Sequence, residues 1–124
     1  MGETIDGLLL QKLFPSELME YFDLKSFNLV KQEGKTQEYW LIEFDEKNII
    51  PAGYEPKDYE SKGFTEGKQI QDFPIRGRAV FLKIKKRRWR HIQTGAIIQR
   101  DFTFIAEGVK LTKELSDFLK DRGR

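Results

Sequence analysis

Between Arg76 and Arg90 the chain carries eight cations and no acid: Arg76, Arg78, Lys83, Lys85, Lys86, Arg87, Arg88 and Arg90. Phe81 and Trp89 lie among them. Cations ranged along one element suit a polyanion, because each phosphate they neutralise releases condensed counterions. The planar arginine fork also matches phosphate oxygens or a guanine edge with two hydrogen bonds at once. Trp89 reads in two ways, as a ring on which an unpaired base could stack or as a core residue. The run as a whole has a blander reading, a solvated strand whose lysines and arginines guard an edge against aggregation. The residues expected to contact nucleic acid are these eight cations together with Trp89.

Other chemistry is poorly supplied. His91 is the one histidine and there is no cysteine, so no tetrahedral metal site can be assembled from the usual nitrogen and sulfur ligands. Carboxylates cluster at Glu43, Asp45 and Glu46 and again at Asp58 and Glu60. Paired carboxylates can hold a metal or move protons, but in a charged strand end and a loop plain solvation explains them better. No phosphate-cradling glycine loop, nucleophile elbow or Cys–His pair occurs. The expectation is a chain with no catalytic residue, no metal and no cofactor.

The basic run sits in a chain of 124 residues, the size of one domain spanning 1–124. Ten phenylalanines argue for a packed core. Residues 1–75 hold 15 acids against 8 bases, and residues 76–124 hold 14 bases against 5 acids, so the net charge of +2 conceals two blocks of opposite sign. Such blocks suggest one acidic and one basic face. No apolar run approaches the ~18 residues of a membrane span, and the first residues lack the pattern of a signal peptide. A cytoplasmic protein without disulfides is expected.

Periodicity places the elements. Ile5, Leu8, Leu9 and Leu13 have helical spacing over 5–13, and Pro15 opens a second short helix with Leu18, Met19 and Phe22 on one face. Residues 26–33 and 37–45 alternate as strands around a turn at Glu33–Thr36. Residues 46–67, rich in Gly and Pro, read as a long loop. A short strand over 68–73 leads through Pro74-Ile75-Arg76-Gly77 into one long strand over 78–90, with Val80, Leu82 and Ile84 on the core face. Beyond Ile84 that face turns basic, so the strand is expected to leave the sheet or project as an exposed hairpin. A further strand is predicted over 97–104, and Leu111, Leu115, Phe118 and Leu119 mark a terminal amphipathic helix. The fold class is α+β, a small antiparallel sheet of hairpins with helices at both ends.

The stretch from Ile70-Gln71-Asp72-Phe73-Pro74-Ile75-Arg76-Gly77 to Lys85-Lys86-Arg87-Arg88-Trp89-Arg90 resembles the zinc-finger-like N-terminal region of insertion-sequence transposases of the ISL-three group. Phe14-Pro15, Tyr21-Phe22-Asp23, Glu46-Lys47-Asn48-Ile49-Ile50-Pro51 and Ser61-Lys62-Gly63-Phe64 are similar to a cysteine-free form of that region. Where the group has Cys-x-x-Cys after the basic strand, this chain has His91-Ile92-Gln93-Thr94. The resemblance implies a zinc-finger-like part without zinc at about 68–108. It further implies recognition of double-stranded DNA at transposon terminal repeats, with the catalytic domain absent. The alternative is a protein-interaction module that docks a separate catalytic transposase subunit. An RNA-binding module is a weaker third reading, since no aromatic-rich RNP pattern occurs. The DNA sequence read and the oligomeric state are open at this level.

Overall fold

The computed structural model describes residues 12–122. The helix expected over 5–13 therefore falls largely outside the described residues. Helix α1 (Ser16–Tyr21) follows Pro15, whose fixed φ of −53° leads the chain into the helical turn. It buries Leu18 and ends where Phe22 turns extended.

Strand β1 (Phe22–Lys31) and β2 (Glu38–Glu46) form the first hairpin, turning at Gly34 with φ +76°. Strand β4 (Lys68–Ile75) and β5 (Arg78–Lys85) form the second. Its two turn residues, Arg76 and Gly77, have φ of +56° and +75°. Positive φ at both central positions matches the turn to the twist of its strands, and Arg76 bears the conformation without the freedom that Gly77 has.

The two hairpins meet through β2 and β5, which run parallel with Ile42 opposite Leu82 and Phe44 opposite Ile84. The sheet order is β1-β2-β5-β4. The α+β class holds, and the parallel central pair makes this sheet mixed where hairpins alone would leave it antiparallel. Alternation puts Ile42, Phe44, Val80, Leu82 and Ile84 on one face, where they bury with Phe14, Leu18, Phe22, Ile70 and Phe104.

A second sheet has the order β3-β6-β7, with β3 (Tyr59–Phe64), β6 (Arg87–His91) and β7 (Ile97–Ile98). Here three expectations need correcting. Residues 46–67 are not all loop: a 3₁₀ turn (Pro56–Asp58) leads into β3. That strand lacks an alternating pattern because it carries a register shift between Ser61 and Phe64, where Gly63 has φ +83°. Residues 78–90 are not one strand. The chain changes sheet at Lys86, and β6 pairs with β3 and β7.

The strand expected over 97–104 reduces to Ile97–Ile98. The residues after it loop back to carry Phe102 and Phe104 onto Phe22, with ring centroids 5.0 and 6.0 Å away. Glu17 secures that loop by accepting hydrogen bonds from Thr103 N, Thr103 Oγ1 and Phe104 N.

The last helix, α2 (Lys113–Arg122), is capped by Thr112. The Thr112 hydroxyl accepts from Leu115 N and donates to the buried Asp72 carboxylate at 2.9 Å. Of the expected apolar face only Leu115 is buried, while Phe118 and Leu119 are about half exposed. Among the described residues, no helix is long and apolar enough to cross a membrane.

Candidate nucleic-acid interface

The basic run begins at the turn between β4 and β5, where Arg76 is exposed. Along β5 the core face takes Val80, Leu82 and Ile84, so Phe81, Lys83 and Lys85 stand on the open face of the first sheet. Glu43 and Asp45 lie in register with Lys83 and Lys85 on β2. Among the described residues, neither lysine has a carboxylate within 4 Å, and Glu43 is instead engaged by the Ser26 hydroxyl at 2.8 Å.

The 64–67 loop closes over the two lysine stems. A Cβ at Gly67 would lie 2.8 Å from Lys83 Cε and 3.4 Å from Lys85 Cγ, so the loop backbone packs directly on the lysine stems. An open groove of about 450 Å³ remains between Phe64, Thr65, Glu66, Gly67 and the two lysines.

The other cations are more committed to the protein itself. Arg78 pairs with Glu38 at 3.6 Å. Arg90 pairs with Glu60, its Nη2 at 2.9 Å. Arg88 Nη2 donates weakly to Lys62 O at 3.4 Å. Lys86 Nζ lies 5.8 Å from the centre of the Phe102 ring. Arg87 donates from its backbone N to Glu46 Oε1, from Nε to Glu46 O and from Nη1 to Ser61 Oγ, and its guanidinium stacks 4.6 Å over Phe64. It joins the end of β2 to the start of β6.

Trp89 was open to two readings, and its burial decides between them. The side chain is fully buried, and Nε1 donates to Asn48 Oδ1 at 2.8 Å. No ring face is left for a base, so Trp89 is corrected from contact residue to core residue. The exposed hairpin is corrected with it, because β6 is the central strand of a sheet. The physical reason is the turn at Lys86: the chain leaves the first sheet there, and in the second sheet the Trp89 side chain is enclosed with its Nε1 bonded to Asn48.

A buried polar group there escaped the sequence reading. Glu46 is 1 % exposed, and Arg100 Nε lies 3.6 Å from its Oε2. Burial pushes the Glu46 carboxyl above its ordinary value, against the pull of the hydrogen bond from Arg87 N and the charges of Arg100, Lys86 and Arg87. Arg100 also stacks 4.2 Å over the Tyr21 ring and donates to Ile49 O at 2.7 Å. The strand parity that buries Ile42 and Phe44 reaches Glu46 next, which was the one available signal.

His91 serves its own turn: Nδ1 accepts from Gln93 N and Thr94 N, and the ring meets Tyr59 edge to face. Among the described residues, no group of three His, Asp or Glu side chains is placed to hold a metal. No family model, curated protein or solved structure matches this chain.

Proposed function

We propose that the chain is a non-catalytic DNA-binding module, the N-terminal region of an insertion-sequence transposase, which engages the transposon's double-stranded terminal repeats. The observation that carries the reading is the acid-free run Arg76–Arg90. In six of its eight cations (Arg76, Lys83, Lys85, Lys86, Arg87 and Arg88) no side-chain nitrogen lies within 4 Å of a carboxylate among the described residues. Lys83 and Lys85, side by side above the Gly67 loop, are its most available phosphate contacts, with Arg76 at the far end of β5. A cytoplasmic location, where chromosomal DNA is at hand, belongs to the same reading.

The test is a salt series of binding isotherms on terminal-repeat duplex and on a scrambled duplex. With about four to six phosphates engaged, log affinity against log salt slopes by roughly −4 to −5. Changing Lys83 and Lys85 together to Ala flattens that slope by about 2. Wild-type protein that fails to bind either duplex at low salt rules the reading out.

A second reading, docking of a separate catalytic subunit, is favoured by the half-buried Tyr39, Leu41 and Phe81 on the same open face, interleaved with charges of both signs. Binding to that subunit without binding to DNA would select it.

A further inference from the structure

The parallel join of β2 to β5 sets two hairpin turns side by side. Each strand starts just after its turn, at Glu38 and at Arg78, and parallel neighbours start at the same end of the sheet. The turn before β2 brings Lys35, and the turn before β5 brings Arg76. Between them lies an open cleft of about 600 Å³. Lys35, Arg76 and Arg78 line it, and Tyr39 and Phe81, whose rings meet edge to face at 5.3 Å, form its apolar wall. Its size falls within the range of small-molecule sites.

Arg76 is the unusual member. It holds the first central position of a turn with positive φ at both central residues, where Asn, Asp or Gly is the ordinary occupant. A side chain beyond Cβ is disfavoured in that conformation, and such an outlier in the wall of a cleft marks a functional position. Among the described residues, neither its guanidinium nor the Lys35 ammonium has a carboxylate within 4 Å. Arg78 faces Glu38 at 3.6 Å across the two hairpins, and 41 and 39 % of these side chains stay exposed. Three cations against one acid, Glu38, leave the lining at +2. An internal DNA phosphate carries one negative charge, whereas a phosphate monoester carries close to two. The cleft thus matches a monoester, and the Tyr39–Phe81 wall lets a flat ring pack beside it.

We infer that the cleft between the two hairpin turns binds a nucleoside monophosphate, either free or as the phosphorylated end of a DNA strand. Arg76 and Arg78 offer forked donors to the phosphate oxygens, and Lys35 adds a point charge from the opposite turn. The base lies on the side of Tyr39 and Phe81. The cleft shares Arg76 and Arg78 with the proposed duplex interface, but it does not need duplex binding, because Lys35 and Tyr39 lie outside the basic run.

Isothermal titration calorimetry on the full chain at low salt tests it, with adenosine 5′-monophosphate as the probe. Wild type binds the monophosphate, and binds adenosine at least ~10-fold more weakly. Inorganic phosphate, which has no ring to pack, also binds more weakly. Arg76→Asn installs the ordinary residue of this turn, so it weakens monophosphate binding at least ~10-fold while the thermal midpoint holds or rises. Lys35→Ala, on the other hairpin, weakens binding about threefold or more. A single-stranded oligonucleotide with and without a 5′-phosphate separates the sources: tighter binding of the phosphorylated strand assigns the site to DNA ends, and equal binding assigns it to the free mononucleotide. Unphosphorylated duplex is titrated in parallel. Monophosphate binding without duplex binding upholds the cleft and sinks the DNA-interface reading, and duplex binding without monophosphate binding does the reverse. A wild type that does not bind the monophosphate overturns the inference. So does an Arg76→Asn protein that binds it as wild type does.

Discussion

Glu46 Oε2 and Arg100 Nε lie 3.6 Å apart in the seam between the two sheets, and both atoms are shut off from solvent. Neither has a hydrogen-bond partner among the described residues. Two charges taken out of water at that separation attract strongly but recover only part of their hydration. The pair therefore ties the end of β2 to the segment that follows β7 at the cost of two dehydrated ions, and removing either partner has unequal consequences.

Stability should carry a pH signature from Glu46. Burial raises its folded-state value above the ordinary 4.5, so the folded protein holds this proton more tightly than the unfolded chain does. The contribution is fully present below 4.5 and is lost as pH rises through the raised folded-state value. Glu46→Gln removes that slope while its carbonyl can still accept from Arg87 N. Thermal midpoints of both proteins between pH 4 and pH 7 check this. Parallel curves would show that Glu46 does not titrate differently on folding.

Arg100→Ala should cost about 3–5 kcal/mol, because it strands a buried carboxylate and removes the stack on Tyr21. Replacing both partners, Glu46→Leu with Arg100→Met, should cost less than the two single changes summed, since no lone charge is then left in the seam. Urea midpoints for the four proteins give the coupling directly.

Two neighbouring cations should behave differently when truncated. Lys85→Ala leaves stability within about 0.5 kcal/mol, as expected of a solvated side chain. Arg87→Ala gives up two side-chain hydrogen bonds and the stack on Phe64, and should cost ~1–3 kcal/mol. Urea unfolding checks both. Equal, negligible losses would return Arg87 to the solvated surface.

Trp89 should be silent toward nucleic acid. In a Trp40→Phe background its emission reports Trp89 alone, and saturating single-stranded oligonucleotide should leave both wavelength and intensity unchanged. Trp89→Phe should nonetheless destabilise the fold by about 1–3 kcal/mol, through the lost bond to Asn48 and the unfilled volume. Quenching by the oligonucleotide would contradict the burial.

Elements governed by neighbours in the chain were legible in advance. Val80, Leu82 and Ile84 alternate, and a strand of period two must put them on one face whatever it pairs with. Gly34 and Gly77 mark turns because their φ is positive. Pro15 begins a helix because its φ is already set. Among the candidate contacts, the same alternation placed Lys83 and Lys85 on the open face.

Choices among distant partners were not legible. Alternation says which way a side chain points within a strand but not which strand lies beside it. The parallel join of β2 to β5 and the passage into the second sheet at Lys86 therefore took the assembled fold to decide. That passage separates the basic run into lysines facing solvent and arginines held by Glu46, Ser61, Lys62 and Glu60. It also encloses Trp89. A tryptophan in a basic strand carries the same local pattern whether its ring meets a base or is enclosed by the fold, and burial depends on what the rest of the chain brings against it.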